Sequence, residues 1–198
     1  MGTQSGFHYY RNWAKVRIDE MDAALTSLED KAAVRTTGAR EKADQVLADL
    51  RKMRDDFRHT VNRQAAANEA DRKSLKAQLE SEWTAFQAEL NNDIESFGQE
   101  NEQAMFRRQA DAQLKTWRDA ADQLGAAAES FSAERRAEIE GVAKRMGSDA
   151  AQAEETLRKL DQAGRQSWSA YMTALSETRA GFDRANRAAR DAFRNTAA

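Results

Sequence analysis

The sequence predicts an all-α chain, an elongated antiparallel coiled coil of a few long helices closed as a hairpin or as a three- or four-helix bundle. Three observations predict it. Large apolar residues recur at steps of three and four, the spacing that lines one stripe of a helix. There is no proline to interrupt a helix anywhere in 198 residues. Charged residues make up 32% and aromatic residues only 8%, a balance that suits long helices with a narrow apolar seam rather than a wide core. A disordered chain would share the charge but has no reason to space its large side chains by heptads.

The stripe is clearest in Trp83, Phe86, Leu90, Ile94 and Phe97. Its Trp–Leu–Phe heptad skeleton returns as Trp117, Leu124 and Phe131, and again as Trp168, Leu175 and Phe182. These residues are the expected packing seam. The three tryptophans lie 34 and 51 residues apart, both multiples of 17, which suggests a loose internal periodicity.

Taken in order, residues 1–7 read as a flexible lead-in and 8–198 as one helical domain. Phe7, Tyr9, Tyr10 and Trp13 form an aromatic cluster that would plug the end of a bundle or, alternatively, meet a partner or a membrane interface. Ile18, Met21, Leu25 and Leu28 start the helical pattern, and Val46, Leu50, Met53 and Phe57 carry it on. Between them the four-plus-four step from Arg35 to Ala39 to Ala43 is a phase slip, so 36–38 is either a turn at Gly38 or a flaw in one long helix. Residues 62–73 are the most polar part of the chain and read as a weak segment of a continuous helix or as a turn; their alanine content favours the continuous helix. Gly98 follows the last periodic residue and predicts a turn over 98–101. Gly147, Ser148 and Asp149 predict another over 146–149, with glycine ending one helix and Ser or Asp capping the next. The last segment runs from Ala153 through Leu157, Leu160 and Trp168 to Phe193, and Gly164 within it marks a close crossing or a weak point.

Charge is uneven. Residues 80–102 hold seven carboxylates and no Lys or Arg, whereas Arg179, Arg184, Arg187, Arg190 and Arg194 crowd the C-terminal segment. Flanking charges of opposite sign set helix orientation across an antiparallel seam; the plain alternative is two solvated faces. The net charge of −2 argues against a nucleic-acid partner, which calls for a basic face. The absence of cysteine removes disulfides, thiolate nucleophiles and Cys-ligated metals. The N-terminus lacks the apolar run of a signal peptide, and no stretch approaches the roughly 18 uninterrupted apolar residues of a membrane span. A cytoplasmic location is therefore expected.

Nothing predicts catalysis, a cofactor, a metal or a small-molecule substrate. Asp55, Asp56 and His59 share part of a helix face, but a di-iron bundle needs a Glu-x-x-His on each of two helices, and no second copy exists. No phosphate-cradling glycine loop and no nucleophile elbow is present. The four tryptophans lie on the seam, so core packing explains them before ligand stacking does.

WAKVRIDEMDAALTSLEDKAA, AREKADQVLADLRKMRDDF and LKAQLESEWTAFQAEL, within residues 10–97, resemble small bacterial coiled-coil proteins of unknown function, which show a Trp-containing start, a LEAKA-like stretch, an EELRAKRDE-like stretch and an AWEELKxxVExAW-like end. Gly38, Asn91-Asn92 and the whole second half depart from that pattern. Trp83-Phe86-Leu90-Phe97 is more faintly similar to the helical repeats of the protein that clamps the outside of gas vesicles, and length and composition are similar to those of phasins, which coat polyester granules. These resemblances imply a non-enzymatic helical protein and carry over no catalytic residue. The expected function is structural or scaffolding, through association with another copy or another helical protein. The alternative is an amphipathic coat on a membrane, a lipid or polyester granule, or a gas vesicle.

Overall fold

The computed structural model describes residues 3–34, 37–94, 97, 99–129, 131–164 and 166–195; the side chains of 3–10, 37–38, 69–70, 99–100 and 193–195 lie outside the described set. The described chain is all-helical, with six helices: α1 Thr3–Ala32, α2 Thr37–Ala66, α3 Glu69–Ile94, α4 Gln99–Ala128, α5 Ala133–Gln162 and α6 Trp168–Asn195. Helix begins at Thr3, so most of the lead-in expected over 1–7 is helical, and residues 1–2 lie outside the described ones. Of the N-terminal aromatic cluster only Trp13 has a described side chain, and it is buried.

The breaks follow local chemistry. Near 36–38 the chain does separate into two helices, α1 ending at Ala32 and α2 opening at Thr37, so Gly38 belongs to a helix rather than to the turn. The helix expected to continue through 62–73 instead stops after Ala66. The reason is Asn68, whose Oδ1 accepts the Asp71 N–H at 3.0 Å and so satisfies one of the orphan donors of a new helix start. α3 and α4 are separated between Ile94 and Gln99, so residues 99–101 of the turn expected over 98–101 are helical; 95–96 and 98 lie outside the described residues.

The turn expected over 146–149 is absent, because α5 passes straight through it. Met146 and Ala150 are both buried one turn apart, and that packing holds the helix across a glycine that costs only about 1 kcal/mol in its interior. The break falls instead at Gly164, which takes φ +75°, the left-handed conformation that glycine adopts at a helix C-terminus without a Cβ clash. Its N–H reaches the Asp161 carbonyl at 3.3 Å. Ser167 then starts α6, its carbonyl accepting the Ala170 N–H at 3.0 Å. At the α4–α5 break, Arg136 donates to the Glu129 carbonyl at 3.0 Å, a cation on a helix C-terminus.

Two compact units emerge, one made of residues 17–109 and the other of residues 1–16 and 110–198. The first holds the second half of α1, all of α2 and α3, and the start of α4. The second holds the rest of α4, all of α5 and α6, and the first half of α1. In the first unit α2 packs on α3, and in the second α5 packs on α6. A shift of 96 residues carries Thr3–Ala32 onto Gln99–Ala128 and Thr37–Ala66 onto Ala133–Gln162. The loose 17-residue spacing of the tryptophans is not this repeat: under the shift, Trp83 falls on Arg179 and Trp117 on Met21.

Candidate functional site

The candidate site is the apolar seam. In the 17–109 unit, α3 carries Leu79, Trp83, Phe86, Leu90 and Ile94, all buried, and Phe97 beyond its end is buried too. Trp83 and Phe86, one turn apart, stack with centroids 6.2 Å apart and planes 13° from parallel. In the other unit, Trp117 on α4 meets Phe182 on α6 edge to face, at 5.7 Å and 69°. Such pairs contribute about 0.5–1.5 kcal/mol beyond their buried area. Gly181 makes room for that ring, since a Cβ there would lie 3.3 Å from Trp117 Cη2. The indole N–H of Trp117 is buried without a hydrogen-bond partner, so apolar contact alone sets the ring's place.

The seam side chains named from the sequence fall into this packing. Trp117 and Phe182 share a cluster with Val16, Met146 and Ala150. Leu124 belongs to a second cluster with Ile139 and Val142, against which Phe131 packs half-buried. Trp168 and Leu175 are buried on α6. All four indoles are at most 9% exposed, and Trp117 is covered in part by Phe182 of another helix. Val34 is the exposed large apolar side chain of the described surface, at 79%.

Sequence reasoning missed the polar residues on the same stripes. Ser27 Oγ donates to Asn101 Oδ1 at 3.1 Å, both buried. Gln113 Nε2 donates to the Leu175 carbonyl at 3.1 Å in the buried space between α4 and α6. Arg17 and Glu20 are buried on α1, and Gln109 and Thr116 on α4. The signal was available: Ala110, Gln113 and Trp117 keep the three-and-four step, which residue type alone conceals.

Ion pairs fix how the helices are matched. Asp22 on α1 pairs with Arg58 on α2 at 2.6 Å and also with Arg54, while Glu29 pairs with Arg51 at 2.7 Å. Seven residues forward on α1 is thus seven back on α2, an antiparallel register. Burial works against the Arg54 charge, but the hydrogen bonds and charges of Asp22 and Asp55 outweigh it and raise its pKa above the ordinary value. In the other unit Arg118 on α4 pairs with Glu154 on α5. These two residues are the shifted equivalents of Asp22 and Arg58, with the signs exchanged.

In the acidic 80–102 stretch Glu80 and Glu82, and among the α6 arginines Arg187 and Arg190, have partners within their own unit. Glu80 pairs with Lys76 at 3.6 Å, and Thr60 donates to Glu82 at 2.9 Å. Arg190 pairs with Asp191 at 3.0 Å. Asp56 is bonded to Lys52 at 2.6 Å and Asp55 to Arg54 at 2.7 Å, while His59 is exposed. Among the described residues no group of three His, Cys, Asp or Glu side chains converges as a metal site would, and no helix is long and apolar enough to cross a membrane. A shallow surface depression is lined by Asp183, Arg184 and Arg187 with small neighbours of α6 alone. Comparison with protein-family models, characterised proteins and solved structures gives no match to this chain.

Proposed function

We propose that this chain is a non-enzymatic structural protein that works through antiparallel, coiled-coil-like helix packing and associates with further copies of itself or with another helical protein in the cytoplasm. One observation supports the reading: every indole of a highly charged chain is buried. Large side chains engaged in helix contact are not lining a substrate pocket, which would need concavity and converging polar groups. The resemblance of residues 10–97 to small bacterial coiled-coil proteins points the same way. The amphipathic-coat alternative, on a membrane, a granule or a gas vesicle, requires the stripes to turn outward onto the lipid or the shell.

Light scattering coupled to size exclusion, over a range of concentrations and with anionic vesicles present or absent, tests the proposal. The expected outcome is a mass of at least twice 22.2 kDa, with helicity unchanged by vesicles and no protein floating with them. A monomer at every concentration that floats with vesicles overturns the scaffold in favour of the coat.

A further inference from the structure

Two three-helix halves of this chain correspond along the sequence. The shift that carries α1 onto α4 and α2 onto α5 also carries buried residue onto buried residue. Ala24 maps to Ala120, Leu28 to Leu124, Val46 to Val142, Leu50 to Met146, Leu79 to Leu175 and Phe86 to Phe182, all of them buried. It maps the Asp22–Arg58 bridge onto the Arg118–Glu154 bridge, each spanning 36 residues. Both bridges lie within a half. With their signs opposed, Arg58 would meet Arg118 if α2 paired with α4, and like charges oppose that mispairing.

The contact between halves is of another kind. Neither unit is made of one half alone: residues 3–16 of α1 belong with α4 to α6, and the start of α4 belongs with α1 to α3. The first helix of each half thus packs with the first helix of the other, as Ser27 with Asn101 at 3.1 Å and Asp30 with Arg108 at 2.5 Å. Equivalent helices that pack reciprocally form the self-complementary contact of a two-fold dimer, here joined in one chain.

We propose that a second copy of this chain docks by exchanging halves, residues 1–97 of one protomer completing both units with residues 98–198 of its partner. The inference rests on the self-association proposed above and specifies its contact. Exchange of an identical element is a low-cost route to dimers, because the same packing that joins the halves of one chain is remade between two chains.

The chain holds no cysteine, so introduced pairs report without background. Ser27→Cys with Asn101→Cys bridges the two halves, and Asp30→Cys with Arg108→Cys does so at an exposed site should the buried pair fail to fold. Thr60→Cys with Glu82→Cys, at a contact of 2.9 Å within one half, is the control. Each full-length variant is checked for helicity by circular dichroism, refolded over a concentration series, oxidised, and run on a non-reducing gel beside light scattering. The expected result is a covalent dimer from the bridging pairs that grows at least about tenfold when concentration rises about a hundredfold, as mass action requires, while the control closes within single chains. Dimers by light scattering whose bridging pairs close only within chains overturn the exchange and leave self-association standing. Monomers at all concentrations overturn both.

Discussion

The two halves of the chain, α1–α3 and α4–α6, build the same arrangement from different residues. Where the first half buries Trp83 and Leu90, the second buries Arg179 and Asn186; where the first buries Met21, the second buries Trp117. The helix break capped by the Asn68 side chain in one half is made by the left-handed Gly164 in the other. The bridge between the first two helices persists with its polarity reversed. What the fold requires at these positions is a place on the buried face, a chain break or a pair of opposite charges. Residue identity is free within that requirement.

The largest test of the comparison is removal of its aromatic anchors. Trp83→Ala and Trp117→Ala should each cost about 3–5 kcal/mol, measured by urea denaturation. If the halves bear equally on stability, the two losses will agree despite the different ring partners; a loss under about 0.5 kcal/mol at either site, the range of ordinary surface changes, would remove that ring from the core. The two helix breaks come next. Gly164→Ala forces a Cβ into φ +75° and should cost about 1–2 kcal/mol. Asn68→Ala should cost about 1 kcal/mol through the lost cap. Equal thermal stability of wild type and Gly164→Ala would show that the break does not need glycine.

Gly147→Ala should act in the opposite direction. A Cβ there meets nothing within 4 Å, so the substitution should stabilise by about 0.8–1 kcal/mol through helix propensity. A loss would contradict the unbroken α5. Smaller again is the reversed bridge. A double-mutant cycle on Arg118 and Glu154, both about half exposed, should give a coupling of about 0.2–1 kcal/mol, and the double reversal Arg118→Glu with Glu154→Arg should recover most of it.

The smallest effect is a pH dependence at Glu155 on α5. The hydrogen bond from Arg158 holds the Glu155 carboxyl below its ordinary range, with the charges of Arg158 and Lys159 adding to it. A depressed folded pKa gives stability that is present above the unfolded value of about 4.3 and is lost as pH falls through the folded pKa. The stability difference between wild type and Glu155→Gln should therefore be present at pH 7 and disappear in acid. A difference that persists in strong acid would remove this explanation.

Much of the helical content was legible in the three-and-four spacing, and most of the seam it marked is buried, with Phe131 half-buried. The breaks were legible only in part. Gly147 and Gly164 are both glycines in helical surroundings, yet one is crossed and the other ends a helix, because Met146 and Ala150 are buried beside the first. The alanine-rich 62–73 stretch favoured helix by propensity, but one asparagine side chain in capping position outweighed it. The 96-residue correspondence between Thr3–Ala32 and Gln99–Ala128 is faint in the sequence because identity is kept at scattered buried positions, such as Leu28 with Leu124, and lost around them. The tryptophans, being conspicuous, suggested a different period.

From the amino-acid order alone came helicity, the stripe on each helix and the absence of thiol chemistry, since these depend on spacing and composition along a single segment. Which stripe covers which, where a helix ends, that Ser27 meets Asn101, and that α1 and α4 each serve both units were decided by tertiary packing. Many pairings of amphipathic helices bury similar apolar area. The choice among them rests on side-chain shape, buried polar partners and charge sign, and these act only once the helices are side by side.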